Sequence, residues 1–246
     1  MKFRLVSFFS VILMLVCIVA SFSSCGESGN EENSTGYEYI PSGSEITTAA
    51  NQEELQQKFT VDTSWQKNFY VKYSHYNPEQ SIATMHYEEK RSENAFTYEY
   101  LDAGSLQYYK ANENGIEFYS IMKNENEQTR TVLSDNFSEL SSLFMKLSEV
   151  DADFPSQNNV LYMYDEEVAG RNCHKYIQRA YSGGKLTKTV YIWVDAQYGF
   201  YAKLEEYDAE NKLTFMFATE SFSAGNMKDE DVIIDTSKYT FKEAVG

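Results

Sequence analysis

The chain is short of cysteine, proline, histidine and positive charge. It has 3 Cys, 3 Pro and 3 His in 246 residues. Cys17 lies inside an apolar leader and Cys25 at its end, so Cys173 alone stands in the body. With Cys25 modified, no disulfide can form within the domain, and Cys173 reads as a small buried hydrophobe. The prolines punctuate rather than pervade: Pro78 ends a strand pattern and Pro155 sits in a loop. Lys and Arg number 21 against 37 Asp and Glu, a net charge of −16. Lys2 and Arg4 are the only charges before Cys25, so the remainder has 19 basic residues (21 less 2) against 37 acidic ones, net −18. Such a surface excludes nucleic acid, whose phosphates require a basic footprint, and docking of the domain face on anionic headgroups.

Catalytic patterns are missing too. There is no G-x-S-x-G, H-E-x-x-H, P-loop or dinucleotide fingerprint. Cys173 and His174 are adjacent, and neighbours in a strand point to opposite faces, so they form no nucleophile–base pair. His75 and His86 fall on neighbouring predicted strands, with Glu88 or Glu89 as the nearest third ligand, and read as ordinary sheet histidines. The acidic groups Asp151/Asp153, Asp165/Glu166/Glu167 and Asp229/Glu230/Asp231 lack the twelve-residue calcium-loop spacing and read as solvated charge. The expectation is a non-enzyme with no cofactor and no metal.

What is abundant is aromatic: 20 Tyr and 16 Phe. Tyrosine suits a half-buried sheet face, with the ring packed and the hydroxyl wet. Residues 160–222 read as a β-meander. Thr189–Val194 is a continuous β-branched and aromatic run, Phe200–Tyr207 alternates, and Leu213, Phe215 and Phe217 share a face. Ser182-Gly183-Gly184-Lys185, Asp195–Gly199 and Asp208–Lys212 are turn chemistry, too short for helical crossovers. Upstream, 68–76, 81–90, 94–102, 105–111, 116–122 and 128–133 are strand-like. Phe96, Tyr98 and Tyr100 share one face, and Asn112-Glu113-Asn114-Gly115 marks a hairpin. Between the blocks, Phe137, Leu140, Leu143, Phe144, Leu147 and Val150 recur at helical spacing, with Asn136 and Glu139 as a capping box, which predicts one helix over 136–150.

The front end reads as export. Residues 1–24 are a signal peptide: Lys2 and Arg4, an apolar Leu5–Ala20, then Ser21, Ser23 and Ser24. Phe22-Ser23-Ser24-Cys25 resembles a bacterial lipobox, with Phe22 where Leu is usual. The resemblance implies that Cys25 is lipidated and tethers the chain to a membrane. The competing reading is an uncleaved anchor, since Leu5–Phe22 is about long enough to span. Residues 25–45 form an acidic, Gly/Ser/Asn-rich tether, and 46–60 offer a short helix capped by Thr47 or Thr48. The domain is 46–246.

The expected fold class is α+β: a single large curved antiparallel β-sheet, a half-barrel, with a few helices packed on one face. The rhythm of Val168–Tyr176, Val190–Asp195 and Ala202–Glu205 resembles the outer-membrane lipoprotein carrier-like (LolA/LolB/RseB-like) superfamily. That resemblance implies a half-open barrel with a helical lid over an apolar cavity that takes acyl chains. The cavity candidates are Phe96, Tyr98, Tyr100, Leu140, Leu143, Phe144, Leu147 and Trp193. Two functions stay open. One is a lipid-anchored protein of the bacterial cell envelope that holds a lipid, lipoprotein or other apolar ligand. The other is a protein- or glycan-interaction module with a filled core.

Overall fold

The structure is a computed structural model that describes residues 61–78, 84–113, 115–122, 128–133, 135–150 and 160–243. The signal peptide, Cys25, the tether and the helix expected over 46–60 lie outside the described residues.

Twelve strands form one open, curved sheet in the order β12-β6-β5-β4-β3-β2-β1-β11-β10-β9-β8-β7. The first block is β1 (Phe69–Tyr76), β2 (Thr84–Arg91), β3 (Ala95–Tyr100), β4 (Ser105–Asn112), β5 (Gly115–Met122) and β6 (Gln128–Leu133). The second is β7 (Val160–Val168), β8 (Arg171–Ser182), β9 (Lys185–Asp195), β10 (Tyr201–Asp208) and β11 (Leu213–Ala224). Each block is a meander because its loops are too short for anything else. They join where the first strand of one meets the last of the other: β1 pairs antiparallel with β11, Phe69 opposite Ala224 and Val71 opposite Phe222. The short β12 (Phe241–Glu243) runs parallel to β6 and covers that edge.

Turn chemistry sets the registers. Gly183 and Gly184 both take positive φ, as a two-residue hairpin loop requires. The β7–β8 loop does the same with Ala169 (φ 51°) and Gly170 (φ 75°). A β-carbon at positive φ meets the following carbonyl, at about 1–2 kcal/mol for a residue without a local polar contact. Ala169→Asn creates the favoured Asn-Gly loop and is expected to raise stability by about 0.5–1 kcal/mol, read as a higher denaturant midpoint at unchanged slope.

The two faces are covered differently. On one, Trp65, Phe69, Tyr73, Phe144, Phe200 and Phe217 belong to the main core, with Leu140, Leu143 and Leu147 partly buried against it. On the other face of β3–β5, Ala95, Tyr108 and Tyr119 pack with Val232, Met227, Ile234 and Phe241 of the C-terminal segment. A one-turn helix at Asp229–Val232 lies on that side, tied down by Asp229 to the Asn94 amide at 2.9 Å.

The single helix expected over 136–150 is not formed. A 3-10 turn spans Phe137–Glu139, the chain is extended at Leu140, and a new helix α1 runs Leu143–Leu147. Asn136 caps the 3-10 turn by accepting from the Ser138 N–H. Ser142 caps α1 by accepting from the Met145 N–H. The break has a specific cause. A continuous helix would bond the Leu140 carbonyl to the Phe144 N–H. Instead Arg91 donates to the Leu140 and Phe137 carbonyls, and Phe144 N–H donates to Glu89. Charge-assisted bonds to the sheet outcompete one neutral helical bond.

Candidate functional site

Register assigns the face that α1 covers. Tyr73 pairs with Tyr87, Val71 with Glu89 and Phe69 with Arg91. Tyr87, Glu89 and Arg91 pair in turn with Tyr100, Tyr98 and Phe96. Phe96 then pairs with Tyr109, and Tyr109 with Phe118. Paired residues share a face, so aromatic rings run across five strands with Glu89 and Arg91 among them.

At the centre of the sheet the face is filled. Phe144 is fully buried. Its ring lies 5.4–6.1 Å from those of Trp65, Phe69, Tyr73, Phe200, Phe217 and Phe222. Trp65 reaches it from a 3-10 turn, Ser64–Lys67, that enters β1. Toward β3–β5 the cover thins. Tyr87 stacks on Tyr98 and Tyr100 at 5.6 and 5.1 Å. Phe96 lies 5.5 Å from Tyr109, which lies 4.8 Å from Phe118. Tyr98, Tyr100 and Tyr109 are only partly buried.

Beneath this surface sit two buried ionisable side chains, Glu89 and Arg91. Glu89 is wholly buried; it accepts from the Tyr73 hydroxyl at 2.8 Å and the Phe144 N–H at 2.9 Å through Oε1. Its Oε2 has no partner. Burial pushes its pKa up to about 7, against the pull of Ser142, Phe144, Tyr73 and Arg91. Arg91, also buried, has its pKa lowered by the same desolvation. Its guanidinium stacks between Phe96 and Phe137 at 5.9 and 5.1 Å. Burial raises the Tyr73 and Tyr98 hydroxyls well above their usual range. The arrangement fastens the segment 137–147 to the sheet.

Seven of the eight cavity candidates come together. Phe96, Tyr98 and Tyr100 form one wall, and Leu140, Leu143, Phe144 and Leu147 pack against the same core. Trp193 belongs to the same buried cluster but not to that face of the sheet. Its neighbour Ile192 pairs with Leu204, which pairs with Phe217 beside Phe144, so Trp193 points to the opposite face. There its ring lies between Lys175 and Lys203 at 4.5 and 4.4 Å, and its indole donates to Glu166. His75 and His86 also separate: His75 pairs with Met85 and His86 with Ser74, which places them on opposite faces. His86 sits 3.2 Å from Asp102 and His174 2.7 Å from Asp165. Among the described residues no group of three or more His, Cys, Asp or Glu is placed to hold a metal. Cys173 is buried, which pushes its thiol up to about 12.

Arg91 and Trp65 were not singled out from sequence, and Glu89 was named only as a possible third metal ligand beside His75 and His86. Glu89 and Arg91 left a trace: in the run 84–91 they occupy the same alternate positions as Met85 and Tyr87, the face that the apolar residues mark as buried. Trp65 left none, since it lies outside any periodic run.

A polar depression of about 310 Å³ is lined by Gly170, Arg171, Asn172, Asp195, Ala196 and Gln197. Asp195 there is engaged by Arg171 Nε and by the N–H groups of Gln197 and Tyr198, which makes it a turn-builder. No helix among the described residues is long and apolar enough to cross a membrane.

No family model and no curated protein matches the chain. Solved structures similar to it include the Pseudomonas aeruginosa MucA/MucB complex, at 11% identity over 76% of this chain and 62% of that one, TM-score 0.38. A LolA superfamily protein from Nitrosomonas europaea matches at 11% identity over 77% and 99%, TM-score 0.27. A putative lipoprotein from Parabacteroides distasonis ATCC 8503 matches at 13% identity over 67% and 98%, TM-score 0.30. The chain spans about 60–64% of the length of the MucB chains it matches. The neighbours include a member of the LolA superfamily, the group that residues 168–205 resemble.

Proposed function

We propose that this chain is a non-enzymatic protein of the bacterial cell envelope, tethered by a lipid on Cys25 and an acidic linker, that takes an apolar ligand on the concave aromatic face of β2–β5. The observation that carries the reading is the unevenness of that face. Phe144 and Trp65 complete it at the centre, while the same row of rings continues to Tyr98, Tyr100 and Tyr109 with partial cover. An apolar floor beside the movable-sized segment Phe137–Leu147 suits an acyl chain or an apolar side chain of a lipoprotein.

A second reading, a protein- or glycan-interaction module, has its own support: Phe144 fills the core as a bound ligand would. The two separate in a titration with a fluorescent naphthyl probe. Tyr98→Glu is expected to weaken probe binding about tenfold or more, since a carboxylate on the apolar floor must be desolvated. Tyr164→Glu, at an exposed tyrosine of β7, is expected to leave it unchanged. Thermal melts confirm that both variants fold. No binding by the wild type, or equal loss in both variants, refutes the concave site and favours the interaction module.

A further inference from the structure

One buried group on the face that α1 covers has no structural need to be charged. Glu89 lies on the central strand β2, wholly buried, with one carboxyl oxygen holding the Phe144 N–H and the Tyr73 hydroxyl. The other oxygen, Oε2, is buried with no partner. The cation two residues along is spent elsewhere, because Arg91 donates to the carbonyls of Phe137 and Leu140. The groups that face Glu89 are Tyr73 from β1, Arg91 from β2, Tyr98 from β3 and Tyr109 from β4. From the covering segment come only the Ser142 side chain and the Phe144 N–H, and the charged residue of α1, Lys146, is exposed. A carboxylate here is an anion under-compensated by its surroundings, seated against the first turn of the helix that carries Phe144.

We propose that Glu89 is a proton-sensitive latch: its ionisation loosens the turn Ser142–Leu147, so the concave face is closed at acidic pH and opens as pH rises. In the seated form burial holds the carboxyl at about 7, above its ordinary 4.5. When the turn lifts, water reaches the carboxyl and its pKa returns toward the ordinary value. The seated form therefore binds the extra proton. Seating is favoured as pH falls through about 7 and is weakened as pH rises from about 4.5 to about 7, levelling off above.

Hydrogen–deuterium exchange on the full chain tests this, read on peptides covering 141–150 and corrected for the intrinsic effect of pH on exchange. Between about pH 6 and about pH 8, protection of these peptides is expected to fall about tenfold in the wild type, the linkage ratio for a group moving from about 7 to about 4.5. Glu89→Gln, which cannot ionise, is expected to show no such fall. Ser142→Ala, which keeps the carboxyl, is expected to retain it at lower overall protection. The proposal is overturned if wild type and Glu89→Gln share one pH dependence, or if protection falls equally across β8–β10, since that is global unfolding and no latch. The consequence for binding rests on the concave face being the ligand site. The exchange itself involves no ligand, so the latch and the binding site fail independently.

Discussion

Phe144→Ala is expected to destabilise the domain by about 3–5 kcal/mol, the range for emptying a fully packed aromatic site. The ring is wholly buried and meets six others, so its loss leaves a void that α1 is poorly able to collapse into. Two anchors hold the helix where it is: Glu89 keeps the Phe144 N–H and Arg91 keeps the Leu140 carbonyl, whatever side chain stands at 144. A drop of roughly 10 °C in midpoint follows for a domain of this size. The same variant has a gain-of-function signature. The void faces the aromatic floor, so Phe144→Ala is expected to bind small apolar probes more tightly than the wild type at a temperature where both are folded. Calorimetric titration with benzene-sized ligands reads this, because an apolar cavity stays dry and accepts them.

Arg91→Met is expected to cost about 2–5 kcal/mol, through a different cause. Methionine fills similar volume and keeps the packing between Phe96 and Phe137. It leaves the carbonyls of Phe137 and Leu140 without their donor and the Glu89 carboxyl without its nearest cation. Each buried polar group left without its partner costs about 1–3 kcal/mol. The double variant Glu89→Gln/Arg91→Met is expected to recover a large part of the loss, a positive coupling measurable in a double-mutant cycle of denaturant midpoints. Additive losses would show that the two charges act separately.

These two residues also mark the limit of what the sequence disclosed. The strand blocks were legible because their alternation and turn residues agree: β6 falls on the residues read as QTRTVL, and Ser182-Gly183-Gly184-Lys185 closes the hairpin as expected. The curved antiparallel sheet was legible for the same reason. The helix over 136–150 was not. Its apolar spacing is genuinely helical, but spacing is blind to a buried arginine and glutamate on a distant strand that claim the backbone groups the helix needs. Trp193 illustrates a second limit. An aromatic on a strand between Ile192 and Val194 belongs to one face or the other, and only register decides which. The site was half legible in consequence: the ring row on β3 and the leucines of 140–147 came from sequence, while Trp65 and the Glu89 and Arg91 side chains beneath Phe144 came from the fold.

The central claim, an apolar ligand on the concave face, is tested most directly by native mass spectrometry of the chain purified from an envelope fraction in mild detergent. The account expects an added mass in the lipid range on the wild type, beyond any acyl modification of Cys25 seen under denaturing conditions, and loss of that mass in Tyr98→Glu. A wild type that carries no adduct, or an adduct equally retained by Tyr98→Glu, would contradict it.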